Sequence, residues 1–190
     1  MEAITGDENG LIKLINFSQG NYLSYGKQSR SQGISSMAWI TNSESINQHS
    51  SSHNKRSHRT DSDRHFAVLR CDGTIEAWSL HGGELKIECV HNLPSNPDTP
   101  LNGGSGYHMT VFGSNAVTVD DFGSVNINTF SQSNDQLCWR NTGQFNVRGP
   151  VSAIACSNPS TGVKSDGVLA FGGKENDAIL YDAKTLQGIV

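Results

Sequence analysis

A short hairpin pattern recurs four times along this chain and limits what it can fold into. Each copy has a small-and-apolar strand, a polar turn built on Gly or Asn-Asp, and a second strand in which apolar and polar residues alternate. This period-2 alternation around tight turns is typical of antiparallel β-hairpins. The copies span residues 3–15, 67–78, 116–127 and 168–182. Runs with the 3.6-residue spacing of helices are hard to find, so the sequence predicts an all-β fold.

Further strand-like segments flank the hairpins. They are 34–39, 107–112 and 151–156 before the last three copies, and 21–25, 86–91 and 144–147 after the first three. Four strands in each repeated unit is the blade pattern of a β-propeller, whereas the alternative is four unrelated hairpins in a β-sandwich. We favour a propeller with about four blades within residues 1–190. The aromatic side chains expected in its core are Trp39, Phe66, Trp78 and Phe171.

Two inserted segments lengthen the repeat beyond the roughly 40–45 residues of a WD-type blade. Residues 43–65 are rich in serine, carry four of the seven histidines and contain one aliphatic side chain, Ile46. We expect them to form a disordered loop between two strands of one blade, because they cannot bury enough apolar surface to offset chain ordering. Residues 91–106 hold three of the five prolines and a Gly-Gly-Ser-Gly run, which predicts a flexible connection between blades.

Charge and composition exclude several classes of protein. The formal net charge of −4 lacks the strongly basic balance of a simple nucleic-acid binder. Apolar runs reach only four residues, against about 20 for a membrane span, and the first ten residues contain no signal-peptide core. The cysteines at 71, 89, 138 and 156 form no CxxC pair, so we expect reduced thiols in an intracellular protein that does not contact membranes.

The motifs that carry catalysis or metal binding are missing from the sequence. No P-loop or nucleophile elbow occurs, and no nucleophile, base and orienting group converge. The histidines at 49, 53, 58 and 65 suggest a metal site, but their spacings in a serine-rich stretch are unlike those of structural zinc, and adventitious binding is the better interpretation. We therefore expect a non-enzyme with no cofactor, metal or small-molecule substrate.

Glycines mark the turns of the four hairpins. Gly is the residue that most readily adopts the positive φ of a tight turn or allows close backbone approach. The glycines expected to have this structural role are Gly10, Gly73, Gly123, Gly172 and Gly173.

One part of the chain resembles a known family. Residues 147–151 read Val-Arg-Gly-Pro-Val, residues 172–176 read Gly-Gly-Lys-Glu-Asn, and an apolar strand then ends in Tyr181-Asp182. This series, together with the opening Gly-Asp-Glu-Asn-Gly-Leu-Ile-Lys at 6–13, is similar to the family of WD repeat-containing protein 74 and the Nop-seven-associated nucleolar protein. No Gly-His or Trp-Asp dipeptide occurs, so the blades are degenerate by the WD signature.

The resemblance implies a fold and a function. The family has a WD-type propeller of seven blades, about 290 residues at 42 each, so the chain is expected to be truncated at its C-terminus with about four blades present. The family implies a non-catalytic scaffold in large (60S) ribosomal subunit assembly and pre-rRNA processing, located in the nucleus and nucleolus. The implied partners are pre-60S assembly factors, an AAA-type ATPase and pre-ribosomal RNA.

Candidate binding residues follow from the same motifs. Lys174, Glu175 and Asn176 either shape a hairpin turn or contact a protein or RNA partner at an exposed rim. Arg148, beside Gly149-Pro150, either binds a phosphate or carboxylate or is a solvated strand-end arginine. The basic residues of 43–65 carry charge that contacts RNA phosphates in some proteins, but the interleaved aspartates and serines favour a solvated loop.

Two other classes of function remain as alternatives. A generic WD-repeat adaptor of a ubiquitin ligase or chromatin complex fits every feature except the Gly-Gly-Lys-Glu-Asn match. A propeller hydrolase requires His, Asp or Glu ligands that converge at inner strand ends, and the sequence shows none.

Overall fold

The computed structural model describes residues 2–16, 26–28, 32–40, 64–94, 106–133, 136–157, 167–173, 178–183 and 185–189. These ranges contain no helix, and so none that is long and apolar enough to cross a membrane. The all-β prediction is confirmed. The strands are β1 Glu2–Gly6, β2 Leu11–Asn16, β3 Gly26–Gln28, β4 Ile34–Ile40, β5 Arg64–Arg70, β6 Thr74–His81, β7 Glu84–Asn92, β8 Tyr107–Phe112, β9 Asn115–Asp120, β10 Ser124–Ser133, β11 Gln136–Asn146, β12 Val151–Cys156, β13 Val168–Gly173 and β14 Ala178–Asp182.

Within the described residues, these strands form four antiparallel sheets of consecutive strands. The second sheet is β4–β7 and the third is β8–β11, with four strands each. The first sheet, β1–β3, and the fourth, β12–β14, have three strands each among the residues described. The segments predicted at 107–112 and 151–156 have the same bounds as β8 and β12.

The first strands of the last three sheets lie side by side. Strand β8 contacts β4 on one side and β12 on the other. Side chains of β4 reach the backbone of β8, since the Ser36 hydroxyl donates to the Met109 carbonyl at 3.4 Å and the Ser35 hydroxyl donates to that of Tyr107. The first strands of the second, third and fourth sheets therefore form one row, with β8 between β4 and β12.

Each pair of neighbouring sheets buries its own hydrophobic core. Alternate residues of a strand point to opposite faces, so one strand serves two cores. The core between the first two sheets joins Ile12 and Leu14 to Phe66, Val68 and Trp78. The core between the second and third sheets contains Leu69, Ile75, Ala116 and Phe130, and the core between the third and fourth contains Val117, Val119, Leu169 and Phe171. Three of the predicted core aromatics are fully buried and Trp39 packs partly buried, which confirms that prediction.

The predicted outer strands are only partly matched. Strand β7 contains the predicted 86–91, but the outer strand of the third sheet begins at Gln136, eight residues before the predicted 144–147, and it ends at Asn146. Because an outer strand is partly exposed to solvent, polar side chains interrupt its apolar alternation, and the sequence pattern does not show where it begins. The segment predicted at 21–25 lies outside the described residues, and β3 of the first sheet is Gly26–Gln28.

The ends of both predicted insertions need correction. Arg64 and His65 belong to β5 rather than to a loop, because His65 is buried and its ring lies 5.3 Å from that of Phe130. Residues 41–63, with the other predicted loop positions, lie outside the described residues. Likewise His91 and Asn92 end β7 instead of starting a connection, and residues 95–105 lie outside the description.

Candidate functional site

One end of the sheets gathers most of the turns named from the sequence. Consecutive antiparallel strands reverse direction. The hairpin turns β1–β2, β5–β6 and β9–β10 therefore lie at the same end as the connections from one sheet to the next. We call this end, formed by residues 7–10, 32–33, 70–73, 93–94, 120–123 and 147–150, the turn end. Its hairpin turns touch the connections, as shown by the hydrogen bonds from Ile34 N to the Asp7 carbonyl (3.1 Å) and from Val147 N to the Gly123 carbonyl (2.9 Å).

Three of the predicted glycines form equivalent turns at this end. Gly10, Gly73 and Gly123 have φ of 80°, 79° and 89°, a region that L side chains adopt only with strain. The amide of each donates to the carbonyl three residues earlier, at 3.0 to 3.1 Å. In the first and third turns an aspartate also accepts backbone hydrogen bonds, Asp7 from Leu11 and Asp120 from Ser124.

Gly172 and Gly173 differ from these turn glycines. Both lie at the end of β13 and pair with β12, Gly172 also pairs with Ala178 of β14, and neither is among the glycines with positive φ. They do not adopt the positive φ of a tight turn, and residues 174–177, between β13 and β14, lie outside the described residues. The reason for a glycine at 173 is a close approach, because a Cβ there would overlap the carbonyl oxygen of Pro150.

A cavity of about 290 Å³ opens between these glycines and the connection into the fourth sheet. Its walls are residues 148–151, residues 171–173 and the side chain of Ile179. Val151 and Phe171 are buried and Ile179 is half-buried, so the floor is apolar. Arg148 is exposed at the rim, and among the described residues no carboxylate forms an ion pair with it.

The structure thus brings together part of the predicted site. Arg148 lines the same cavity as Gly172 and Gly173, although the sequence separates them by more than twenty residues. Lys174, Glu175 and Asn176 lie outside the described residues.

Sequence reasoning missed an exposed aromatic residue beside this cavity. Phe122 is 54% exposed in the turn that precedes Gly123. A Cβ on Gly123 would lie only 2.5 Å from the Val147 carbonyl and 3.0 Å from that of Gly149, so this turn packs on the cavity wall. A phenylalanine within the polar run Asp-Asp-Phe-Gly was the available signal, since a turn has no packing reason to hold one.

Burial and charge shift one titratable group at the turn end. The hydroxyl of Tyr107 lies over Gly73, 3.0 Å from where a Cβ would stand. Burial raises the pKa of Tyr107 above its ordinary value, and the carboxylates of Asp120 and Asp72 raise it further. Tyr107 is therefore a neutral hydrogen-bonding group at physiological pH.

At the turn end, a polar network closes the gap between the first and second sheets. Arg70 is fully buried, and its guanidinium donates to the carbonyls of Gly10 (3.1 Å) and Gln32 (3.0 Å) and to the carboxylate of Glu76 (2.8 Å). The indole N–H of Trp78 donates to the same Glu76 oxygen at 2.8 Å. This network ties the turn end of the first sheet to the second.

The described residues hold no group of three or more His, Cys, Asp or Glu side chains in a position to bind a metal ion. Of the four histidines considered above, His65 packs on Phe130, and those at 49, 53 and 58 lie outside the description. All four cysteines are free thiols. The turn end offers exposed side chains and one cavity, an arrangement suited to binding.

Comparison with known proteins identifies the fold but no family. No protein-family profile and no curated protein sequence matches the chain. Among solved structures, BBS1N in complex with ARL6DN is similar with a TM-score of 0.62 and 14% identity, over 97% of this chain and 44% of that one. Raptor from Chaetomium thermophilum is similar with a TM-score of 0.59 and 13% identity, over 95% of this chain and 14% of that one. Both contain β-propellers. This chain has an all-β, propeller-like fold and spans less than half of either neighbour.

Proposed function

We propose that this protein is a non-catalytic scaffold that binds partner proteins through the turn end of its sheets. The observation that carries the proposal is the cavity with exposed Arg148 and Pro150 in its lining, together with exposed Phe122 on the adjoining turn. Binding residues are commonly held on loops at the end of a rigid sheet framework. Several titratable residues at or near the turn end serve structure: Asp7 and Asp120 accept turn hydrogen bonds, and Arg70 pairs with Glu76.

The architecture proposed with this function is a WD-type propeller in which the four sheets are four consecutive blades. The inner row of β4, β8 and β12, with a hydrophobic core between each pair of neighbouring sheets, supports this proposal. The total of seven blades comes from the family resemblance.

The setting that we propose is large ribosomal subunit assembly in the nucleolus. It rests on the resemblance at 147–151 and 172–176, and the cavity walls contain residues of both segments, Arg148 and Gly173 among them. The expected partners are pre-60S assembly factors, an AAA-type ATPase and pre-ribosomal RNA. BBS1N, which shares the propeller-like fold, is itself found in complex with ARL6DN, and this supports protein binding in general rather than one pathway.

Affinity purification of the tagged natural protein from its own cells tests this proposal. Co-purification of large-subunit assembly factors supports the ribosomal setting, whereas cullin-ligase or chromatin subunits support the adaptor alternative. A purification that yields no specific partner contradicts the scaffold proposal itself.

A double variant tests the ribosomal setting at the residues that carry the resemblance. Replacing Lys174 and Glu175 together by alanine should weaken pre-ribosome association about ten- to a hundredfold, because charge-assisted contacts are lost. The matched control replaces Glu84 and Lys86 of outer strand β7, both exposed, by alanine. The free energy of unfolding of both double variants should stay within about 0.5 kcal/mol of the parent value. Unchanged co-sedimentation of the Lys174/Glu175 variant would assign these residues to turn formation only.

A further inference from the structure

The cavity occupies the place that an arginine side chain fills elsewhere in the same fold. Arg70 in the second sheet pairs with Ile34, the first residue of β4, and Gly173 in the fourth pairs with Val151, the first residue of β12. Arg70 shares its face of β5 with Phe66 and Val68, towards the first sheet, as Gly173 shares its face with Leu169 and Phe171, towards the third. The two positions are therefore equivalent.

The acid that balances this arginine is also replaced. Glu76 pairs with Val68 in the second sheet, and the residue in the equivalent register, opposite Phe171, is Ile179. One gap between sheets is thus filled by a buried ion pair, while the other is left open with an apolar floor. Among the described residues that line the open gap, none is acidic and able to pair with a cationic ligand.

Arg148 adds a positive charge at the rim of this apolar cavity. We propose that the cavity binds a bulky apolar side chain of a peptide segment in a partner protein, and that Arg148 binds a carboxylate flanking that side chain. This inference rests on the proposed scaffold function and specifies the class of partner at the turn end. Exposed Phe122 on the adjoining turn provides apolar surface for the rest of the segment.

The size and charge of the site favour a peptide over other ligands. A volume of about 290 Å³ lies at the lower limit of small-molecule pockets, which run from about 300 to 1,000 Å³, and suits one inserted side chain. Nucleic acid is bound mainly by several cations along its phosphates, whereas Arg148 is the one cation among the described residues that line the cavity. Arginine also suits a carboxylate because its guanidinium donates two parallel hydrogen bonds.

Titration by NMR of the 190-residue chain, labelled at its isoleucine and valine methyl groups, tests the proposal. The probes are the blocked pentapeptides Ser-Glu-Leu-Glu-Ser, Ser-Lys-Leu-Lys-Ser and Ser-Glu-Ala-Glu-Ser, and decauridylate. We expect the first peptide to shift the Ile179 and Val151 methyl signals and to bind at least about tenfold more tightly than the others. Equal binding of the acidic and basic peptides, no shift at these methyl groups, or stronger shifts with decauridylate would overturn the proposal.

Charge reversal gives a second, independent measurement. Arg148→Glu should weaken binding of the Glu-Leu-Glu peptide by about ten- to a hundredfold and should make the Lys-Leu-Lys peptide the preferred ligand. Arg140→Glu is the matched control, since Arg140 is also exposed but lies on outer strand β11. An equal loss in both variants, or no reversal of preference, would overturn a specific role for Arg148.

A third variant separates this inference from the scaffold proposal. Ile179→Trp places a larger side chain at the cavity and should abolish the methyl shifts at Val151. If both Arg148→Glu and Ile179→Trp retain the parent protein's partners in affinity purification, the peptide site is overturned while the scaffold function stands. Loss of the same partners from both variants, with Arg140→Glu unaffected, supports the site.

Discussion

The guanidinium of Arg70 donates to the carboxylate of Glu76 at 2.8 Å, and both side chains are fully excluded from solvent. Burying two charges costs several kcal/mol of desolvation each, which good geometry and further hydrogen bonds must offset. Here the carbonyls of Gly10 and Gln32 and the indole of Trp78 supply those bonds. The pair therefore joins two sheets through polar contacts in a region that elsewhere is apolar.

Removing the cation alone should destabilise the fold strongly. Arg70→Met leaves Glu76 buried without its partner, so we expect the free energy of unfolding to fall by about 3–5 kcal/mol in urea denaturation. Adding Glu76→Gln removes the buried charge and keeps an acceptor for Trp78, so the double variant should recover most of this loss. Exposed Arg140→Met is the control, expected within about 0.5 kcal/mol. A single variant as stable as the parent would contradict the structural role of the pair.

Substitution of a glycine in a packed turn should destabilise the fold far more than substitution of a glycine in an open hairpin. Gly123→Ala meets both a φ of 89° and the Val147 carbonyl, whereas Gly82→Ala has a φ of 57° with nothing within 4 Å of its Cβ. The left-handed conformation alone costs about 1–2 kcal/mol. We expect Gly82→Ala to lower the free energy of unfolding by about that amount. Gly123→Ala should lower it by at least about 2 kcal/mol more, because its Cβ would overlap a backbone carbonyl. If both variants lose the same free energy of unfolding in urea denaturation, the Val147 backbone moves aside without cost.

The strands were predictable from the sequence because their information is local. The inner strands β8 and β12 alternate side chains between two faces, and Gly73 and Gly123 lie in turns that contain aspartate. A pattern of this kind depends only on residues a few positions apart.

The site was not predictable in the same way, since its parts come from distant segments. Arg70 precedes Cys-Asp-Gly and looks like an exposed turn residue, but its alternation with Phe66 and Val68 was the signal that it points inward. The need for glycine at 173 comes from the backbone of Pro150, which only the register between β12 and β13 brings close. The cavity depends on the space that three separate segments, 148–151, 171–173 and Ile179, leave between them.

Cys89 should resist alkylation until strongly alkaline pH. Burial raises the pKa of its thiol from an ordinary value near 9.0 to about 11, against a smaller lowering by a hydrogen bond with the Trp139 backbone. Two pKa units leave about a hundredth of the usual thiolate, the form that reacts with iodoacetamide. Mass spectrometry of the native chain at pH 8 should find exposed Cys71 modified first and Cys89 last.

The same shift makes Cys89 a contributor to alkaline unfolding. A thiol with a raised pKa in the folded state binds its proton more tightly there than in the unfolded chain. Its contribution to stability is complete below pH 9 and declines as pH rises towards 11. Cys89→Ala should therefore flatten the fall in thermal midpoint over that window, and an unchanged pH profile would contradict a buried thiol.

Asn128 should be a position where an apolar residue improves stability. Its side chain is fully buried, and neither its amide nitrogen nor its oxygen has a hydrogen-bond partner among the described residues. In register it faces Ala116, and two residues along the strand lies Phe130, both part of the core between the second and third sheets. An unsatisfied buried amide costs about 1–3 kcal/mol, so Asn128→Leu should raise the free energy of unfolding by a similar amount.

Two further variants give this prediction its sign test. Asn128→Asp keeps the size but buries a carboxylate, so it should destabilise the chain at neutral pH. Asn115→Leu changes the same residue type on the paired strand, where the Asn115 oxygen accepts from the Thr129 hydroxyl at 2.6 Å. Losing that bond should cost about 1 kcal/mol. If Asn128→Leu and Asn115→Leu destabilise equally in urea denaturation, the Asn128 amide has a hydrogen-bond partner in the native protein, which would contradict the prediction.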